Sequence, residues 1–232
     1  MSADLSNLLK FSDITPRVKT HLNQVYGTLS IGCLTAAATC LWTPVWLVTN
    51  IMFLIFSLIA TIGLVVTMHA KRGNSDHGTK FVCFLLITAI DGASLKPLVQ
   101  SAIDLDPVLV VNALVYTGVV FGSFTLTSFL TGRRSMLFLG GILSSVMLGM
   151  SVGMLLSFFT GVSFISYFAY NVIMLVVFSL YIMYDTQLII EKAHQGDFDY
   201  NLHSLDLFID LVRIFIHILR ILMEMNKDKK NK

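Results

Sequence analysis

The run IMFLIFSLIATIGLVVTM, Ile51–Met68, contains no ionisable side chain and is long enough, as a helix, to cross a bilayer's hydrocarbon core. It belongs to a longer silence. No Asp, Glu, Lys, Arg or His lies between Leu22 and Met68, and none lies between Ser135 and Tyr184. Soluble domains average roughly 45–50% apolar and about 25% charged residues. This chain of 232 residues is 55% hydrophobic and 13% charged. Lipid is the solvent that such stretches require, and in lipid the backbone must satisfy its own hydrogen bonds as helices.

Working outward, the hydropathy predicts segments at Val25–Trp42, Val48–Met68, Phe81–Ile103, Val108–Thr131, Met136–Phe159, Phe164–Ile190 and Leu202–Met223. The expected fold is an all-α integral membrane protein, a bundle of seven helices with six clear spans and a polar-striped seventh. Residues 1–24 read as a cytosolic N-terminal segment, 25–223 as the transmembrane domain and 224–232 as a basic tail. Lys10, Arg17 and Lys19 precede the first segment, Lys71, Arg72 and Lys80 follow the second, and Arg133 and Arg134 follow the fourth. The loops after segments one, three and five carry no Lys or Arg, so the N-terminus is predicted cytosolic. Cys33, Cys40 and Cys83 lie in apolar runs and match no zinc spacing, which suits buried thiols. A net charge of +2 gives no case for nucleic acid. No cofactor and no tightly bound metal is expected.

The seventh segment carries Asp206, Asp210, Arg213, His217, Arg220 and Glu224, at alternating steps of four and three residues. At helical spacing these fall within an arc of about 80° on an otherwise apolar helix. Interfacial amphipathic helices usually have a broad polar face. A narrow seam suits a helix inserted in a bundle, its charges turned to the interior or a water-filled path. Local pairs such as Asp210 with Arg213 are one way to neutralise it. Asp185 ends the second charge-free run, with Asn171 and Tyr181 on its side of the sixth segment. If segments six and seven pack together, Asp185 approaches Asp206 or Asp210. Two carboxylates away from water cannot both ionise cheaply, so they titrate as a coupled pair. Losing the shared proton leaves a charged oxygen cluster, which repels or admits a hard cation such as Ca²⁺. Asp91 is a second-rank candidate for the pathway, as is Asn171. Pro97, after Lys96, is expected to bend or interrupt the third segment. Lys229 and Lys230 resemble a dilysine retrieval signal, against the plainer reading of a solubilising tail.

The motifs that surround these residues resemble a known family. Tyr184-Asp185-Thr186-Gln187-Leu188-Ile189-Ile190-Glu191-Lys192-Ala193, Gly196-Asp197-Phe198-Asp199-Tyr200 and Leu205-Asp206-Leu207-Phe208-Ile209-Asp210 are similar to the Bax inhibitor-1 group of the transmembrane Bax-inhibitor-motif family. Arg133-Arg134-Ser135-Met136-Leu137-Phe138-Leu139-Gly140-Gly141-Ile142-Leu143 resembles its central motif, and Leu8-Leu9-Lys10-Phe11-Ser12-Asp13-Ile14-Thr15-Pro16 its opening. The resemblance implies seven helices in the endoplasmic reticulum membrane, suppression of cell death and a pH-sensitive Ca²⁺ leak. It implies that Asp185 and Asp210 share the gating proton. It implies Bcl-2-type proteins and inositol trisphosphate receptors as partners; an oligomer is left open. In bacterial relatives an Arg on the second helix latches the pair; segment two here has none, and Lys71 or Arg72 stands at its end.

Two other classes compete. A non-conducting interaction protein would bind death regulators or calcium-release receptors. An intramembrane aspartyl protease would also use two acids, but those enzymes carry a Gly-x-Gly-Asp pattern, absent around Asp185 and Asp210. No enzyme activity is expected.

Overall fold

The computed structural model describes residues 15–70, 76–131, 136–161 and 165–230. Among them every regular element is a helix: α1 (Pro16–Trp42), α2 (Val45–Val48), α3 (Ile51–Ala70), α4 (His77–Leu105), α5 (Val108–Leu130), α6 (Leu139–Thr160), α7 (Tyr167–His194) and α8 (Tyr200–Lys230). Six of them, α1 and α3 to α7, are long and apolar enough to span a membrane. The protein is therefore a multi-pass membrane protein.

Among the described residues there are eight helices, against the expected seven. The addition is α2, a single short turn after Pro44, whose φ of −73° suits a helix start. Asn50 then accepts from the Met52 amide at 2.9 Å and opens α3. Four residues carry no helical period, so hydropathy alone does not resolve α2 from a loop. Pro97 does not interrupt its helix, for α4 runs through it to Leu105. One missing donor is tolerated in a membrane helix.

The exposed apolar surface fits lipid. In α3 only Met68 is buried, while Met52, Phe56, Leu58 and Ile59 face outward. In α6 only Leu143 is buried. Water would penalise surfaces of this kind, and hydrocarbon does not.

The chain forms two compact units. The first holds Pro16–Pro107 and Gly196–Phe208, and the second holds Val108–Gln195 and Ile209–Lys232. In the first, α1 packs on α4 at Gly92, where an added Cβ would fall onto the Ala36 carbonyl and Cα. Small residues let membrane helices approach this closely. Phe84 and Phe208 meet edge to face at 6.2 Å in its core. Gly92→Val should therefore destabilise the protein by about 1–3 kcal/mol or more through overpacking. Reversible unfolding in mixed micelles would measure it; an unchanged midpoint would refute the close contact. In the second unit, α6 meets α7 where Gly140 lies under the Tyr184 ring.

Candidate functional site

Within the second unit, side chains of α7 meet those of the latter part of α8. Asn171 donates its amide to the Tyr167 carbonyl at 2.7 Å. Its Oδ1 therefore turns to His217 Nδ1, 2.9 Å away, and that nitrogen carries the proton. Phe178 stacks on the same imidazole, with ring centroids 5.6 Å apart. The Arg213 guanidinium lies over the other end of this contact, 5.0 Å from the Phe178 centroid. So α8 meets a membrane-spanning helix through His217 and Arg213 of its polar stripe. Asn171 and His217 are both buried, so Asn171→Leu should leave the His217 N–H without an acceptor and cost about 1–3 kcal/mol. The same unfolding assay checks it, and a loss near zero would deny the bond any role.

The other candidates take varied environments. Asp210 is only 4% exposed. Asp185, Asp206, Asp91 and Arg220 are half-buried. Arg213 is exposed, and its guanidinium makes a cation–π contact with Phe178. The stripe is thus divided: Asp210 and His217 are enclosed, while Arg213 uses the Phe178 face and reaches the surface. Lys229 is exposed, near the end of α8. The side chain of Lys230 lies outside the described residues, as do Lys71, Arg72, Arg133 and Arg134.

Asp185 sits on a firmly held stretch of α7. Two residues on, Gln187 accepts from the Met136 amide at 2.9 Å and donates to the Ser128 carbonyl at 3.4 Å. Ser128 Oγ in turn donates to the Met183 carbonyl at 3.1 Å. These bonds tie α5 and the start of the α6 segment to the turn that bears Asp185. Hydropathy did not single out Gln187 or Ser128; the available signal was a lone amide in an apolar helix, which needs partners when buried.

A second polar cluster in the first unit went unnoticed in the sequence. Lys80, 5% exposed, forms an ion pair with Asp199. Asp199 also accepts from the Leu202 amide at 3.3 Å and so caps α8. His21 Nε2 lies 2.8 Å from His203 Nδ1, and His203 Nε2 lies 3.8 Å from Asp197. Asn201 donates to the His77 carbonyl at 3.3 Å, and Ser204 to the Val25 carbonyl at 2.9 Å. These side chains come from three distant stretches of sequence, which only tertiary packing unites. Among the described residues, no three His, Cys, Asp or Glu side chains gather as a metal site. The three cysteines are free thiols.

Comparison with known proteins agrees with the membrane architecture. The profile of the family described as "Inhibitor of apoptosis-promoting Bax1" matches residues 18–228. Bax inhibitor 1 of Arabidopsis thaliana is 36% identical over 229 residues, covering 97% of this chain and 89% of its own. The protein of that name from Bos taurus is 37% identical over 228 residues, covering 97% and 94%. The one from Homo sapiens is 36% identical over 225 residues, covering 96% and 93%. With six spanning helices and a match along nearly its whole length, the chain belongs to the Bax inhibitor-1 family.

Proposed function

We propose that this protein restrains cell death from the endoplasmic reticulum membrane, its N-terminus in the cytosol, by leaking luminal Ca²⁺ along a path gated by a proton that Asp185 and Asp210 share. The observation that carries the reading is the enclosure of Asp210 on a helix that packs along α7, the helix of Asp185. The register adds support. Asn171 lies opposite His217, and Phe178 opposite Arg213 and His217. Moving along α7 from Phe178 to Asp185 covers about 10 Å at the helical rise, and the same distance back along α8 leads from His217 to Asp210. An ionised pair in such a setting offers hard oxygen ligands to Ca²⁺, whereas a protonated pair holds itself closed through its own hydrogen bond. Ca²⁺ is cargo here, and no resident metal is required. The names of the relatives support the link to cell death, with Bcl-2-type proteins and inositol trisphosphate receptors as proposed partners.

Ca²⁺ flux into liposomes that contain purified protein tests the reading. Wild type should conduct more as pH rises through the range where the pair ionises, while Asp210→Asn should respond little. Equal fluxes at every pH would remove the gate and leave the non-conducting interaction protein as the reading.

A further inference from the structure

Three helix starts in the first unit open onto one cleft. α1 begins at Pro16, α4 at His77 and α8 at Tyr200, and all three residues line a cleft of about 710 Å³. Arg17, Thr20, His21 and Gln24 line it as well, and among the described residues no Asp or Glu does. Aligned peptide dipoles leave partial positive charge at a helix start, where backbone amides favour anions. Nearby acids are engaged elsewhere. Asp199 is paired with Lys80, and Asp197 accepts from the Asp199 amide at 3.1 Å while facing His203. Asp76 flanks His77 without lining the cleft.

His21 supplies an independent sign of a ligand. Its ring is 1% exposed and its Nε2 is committed to His203, but its Nδ1 has no hydrogen-bond partner. A buried ring nitrogen left in that state is costly, and an anion that accepts from it once it is protonated would remove the cost. The volume exceeds what a bare tetrahedral anion fills, and the stacked His77 and Tyr200 rings, 5.1 Å between centroids, give a flat wall for whatever carries it.

We propose that this cleft binds a phosphate group, carried by a small soluble ester or a lipid head group, through Arg17, His21 Nδ1–H and the helix starts. In the empty cleft, the arrangement that satisfies Asp197 has His203 Nε2–H facing the carboxylate. His203 Nδ1 then accepts from His21 Nε2–H, and His21 Nδ1 is a bare lone pair. When phosphate binds, one proton enters at His21 Nδ1 and the bridging proton moves from His21 Nε2 to His203 Nδ1. His203 becomes an imidazolium beside Asp197, so one proton is taken up per phosphate bound. Among the described residues, the charged and titratable groups around the pair are Arg17 on α1, His77 and Lys80 on α4, Asp197 and Asp199 before α8, and Tyr200 at its start. The inference stands apart from the calcium reading, since Asp185 and Asp210 belong to the other unit.

Sulfate, a phosphate mimic that does not itself titrate near neutrality, is the first probe. It is titrated calorimetrically into the full chain in phosphatidylcholine nanodiscs, in two buffers of different ionisation enthalpy. The expected result is binding with uptake of about one proton. Arg17→Gln, at an exposed position, should weaken it at least about tenfold through loss of a charge-assisted hydrogen bond. His203→Gln keeps a partner for His21 and should lower the proton uptake. Displacement of sulfate by glycerol 3-phosphate would identify a soluble ester as the source. Blockage by phosphatidic acid in the nanodisc, with no effect of glycerol 3-phosphate, would identify a lipid. Absence of binding at about 10 mM sulfate, equal affinity in Arg17→Gln, or binding without proton uptake would overturn the proposal.

Discussion

Asp199→Asn is expected to destabilise the protein by about 3–5 kcal/mol, the usual cost of stranding one member of a buried ion pair. Lys80 is almost fully enclosed and the Asp199 side chain is only 13% exposed, so little water is at hand to solvate the ammonium once its partner is neutral. The substitution isolates this effect. Asn fills the same volume and caps a helix as well as Asp does, so the bond to the Leu202 amide survives. Asp199→Ala should cost about 0.5–2 kcal/mol more, because the cap is lost as well. Adding Lys80→Met to Asp199→Asn should recover most of the loss, since a buried pair can often be replaced by apolar side chains. Reversible unfolding in mixed micelles gives all three values. A loss below about 1 kcal/mol in Asp199→Asn would mean that the pair behaves like an exposed one.

Asp185→Asn and Asp210→Asn should each flatten the pH dependence of Ca²⁺ flux, and the double variant should change little further. That pattern follows from a single proton held by two groups: removing either acid removes the coupled titration, so nothing remains for the second substitution to take. In wild type, flux should rise by about tenfold or more as pH increases through the range where the pair ionises, if the ionised pair stabilises the conducting state by about 1.4 kcal/mol or more. Liposome flux across that range measures the cycle. Additive effects of the two substitutions would show that the acids act separately.

The spans were legible because the charge-free runs from Leu22 to Met68 and from Ser135 to Tyr184 admit no other environment. Helix ends were less so. α1 begins at Pro16 rather than Val25, since its first turns bury only one face, through Val18, His21 and Leu22, and keep Arg17 and Lys19 outside. α8 likewise extends to Lys230, past the apolar run. Asp185 and Asp210 stood out because an acid in an apolar helix has few plausible reasons to be there. The contact of His217 with Asn171 depends on the angle at which two helices face each other, and periodicity does not report it. The cleft was illegible for a stronger reason. Its Arg17, His21 and His77 precede Tyr200 by more than a hundred residues, and a quoted motif, Gly196-Asp197-Phe198-Asp199-Tyr200, showed acids without showing Lys80 or His203 as their counterparts.

Infrared difference spectroscopy of the protonated-carboxyl band, on purified protein between about pH 5 and about pH 8, reads the decisive proton most directly. Below the pH at which flux rises a protonated carboxyl should be present, and its band should shift or vanish in both Asp185→Asn and Asp210→Asn, because either change frees the remaining acid from its neighbour's charge. Two carboxyls that lose their protons independently near about pH 4, as free aspartates do, would contradict the shared-proton gate.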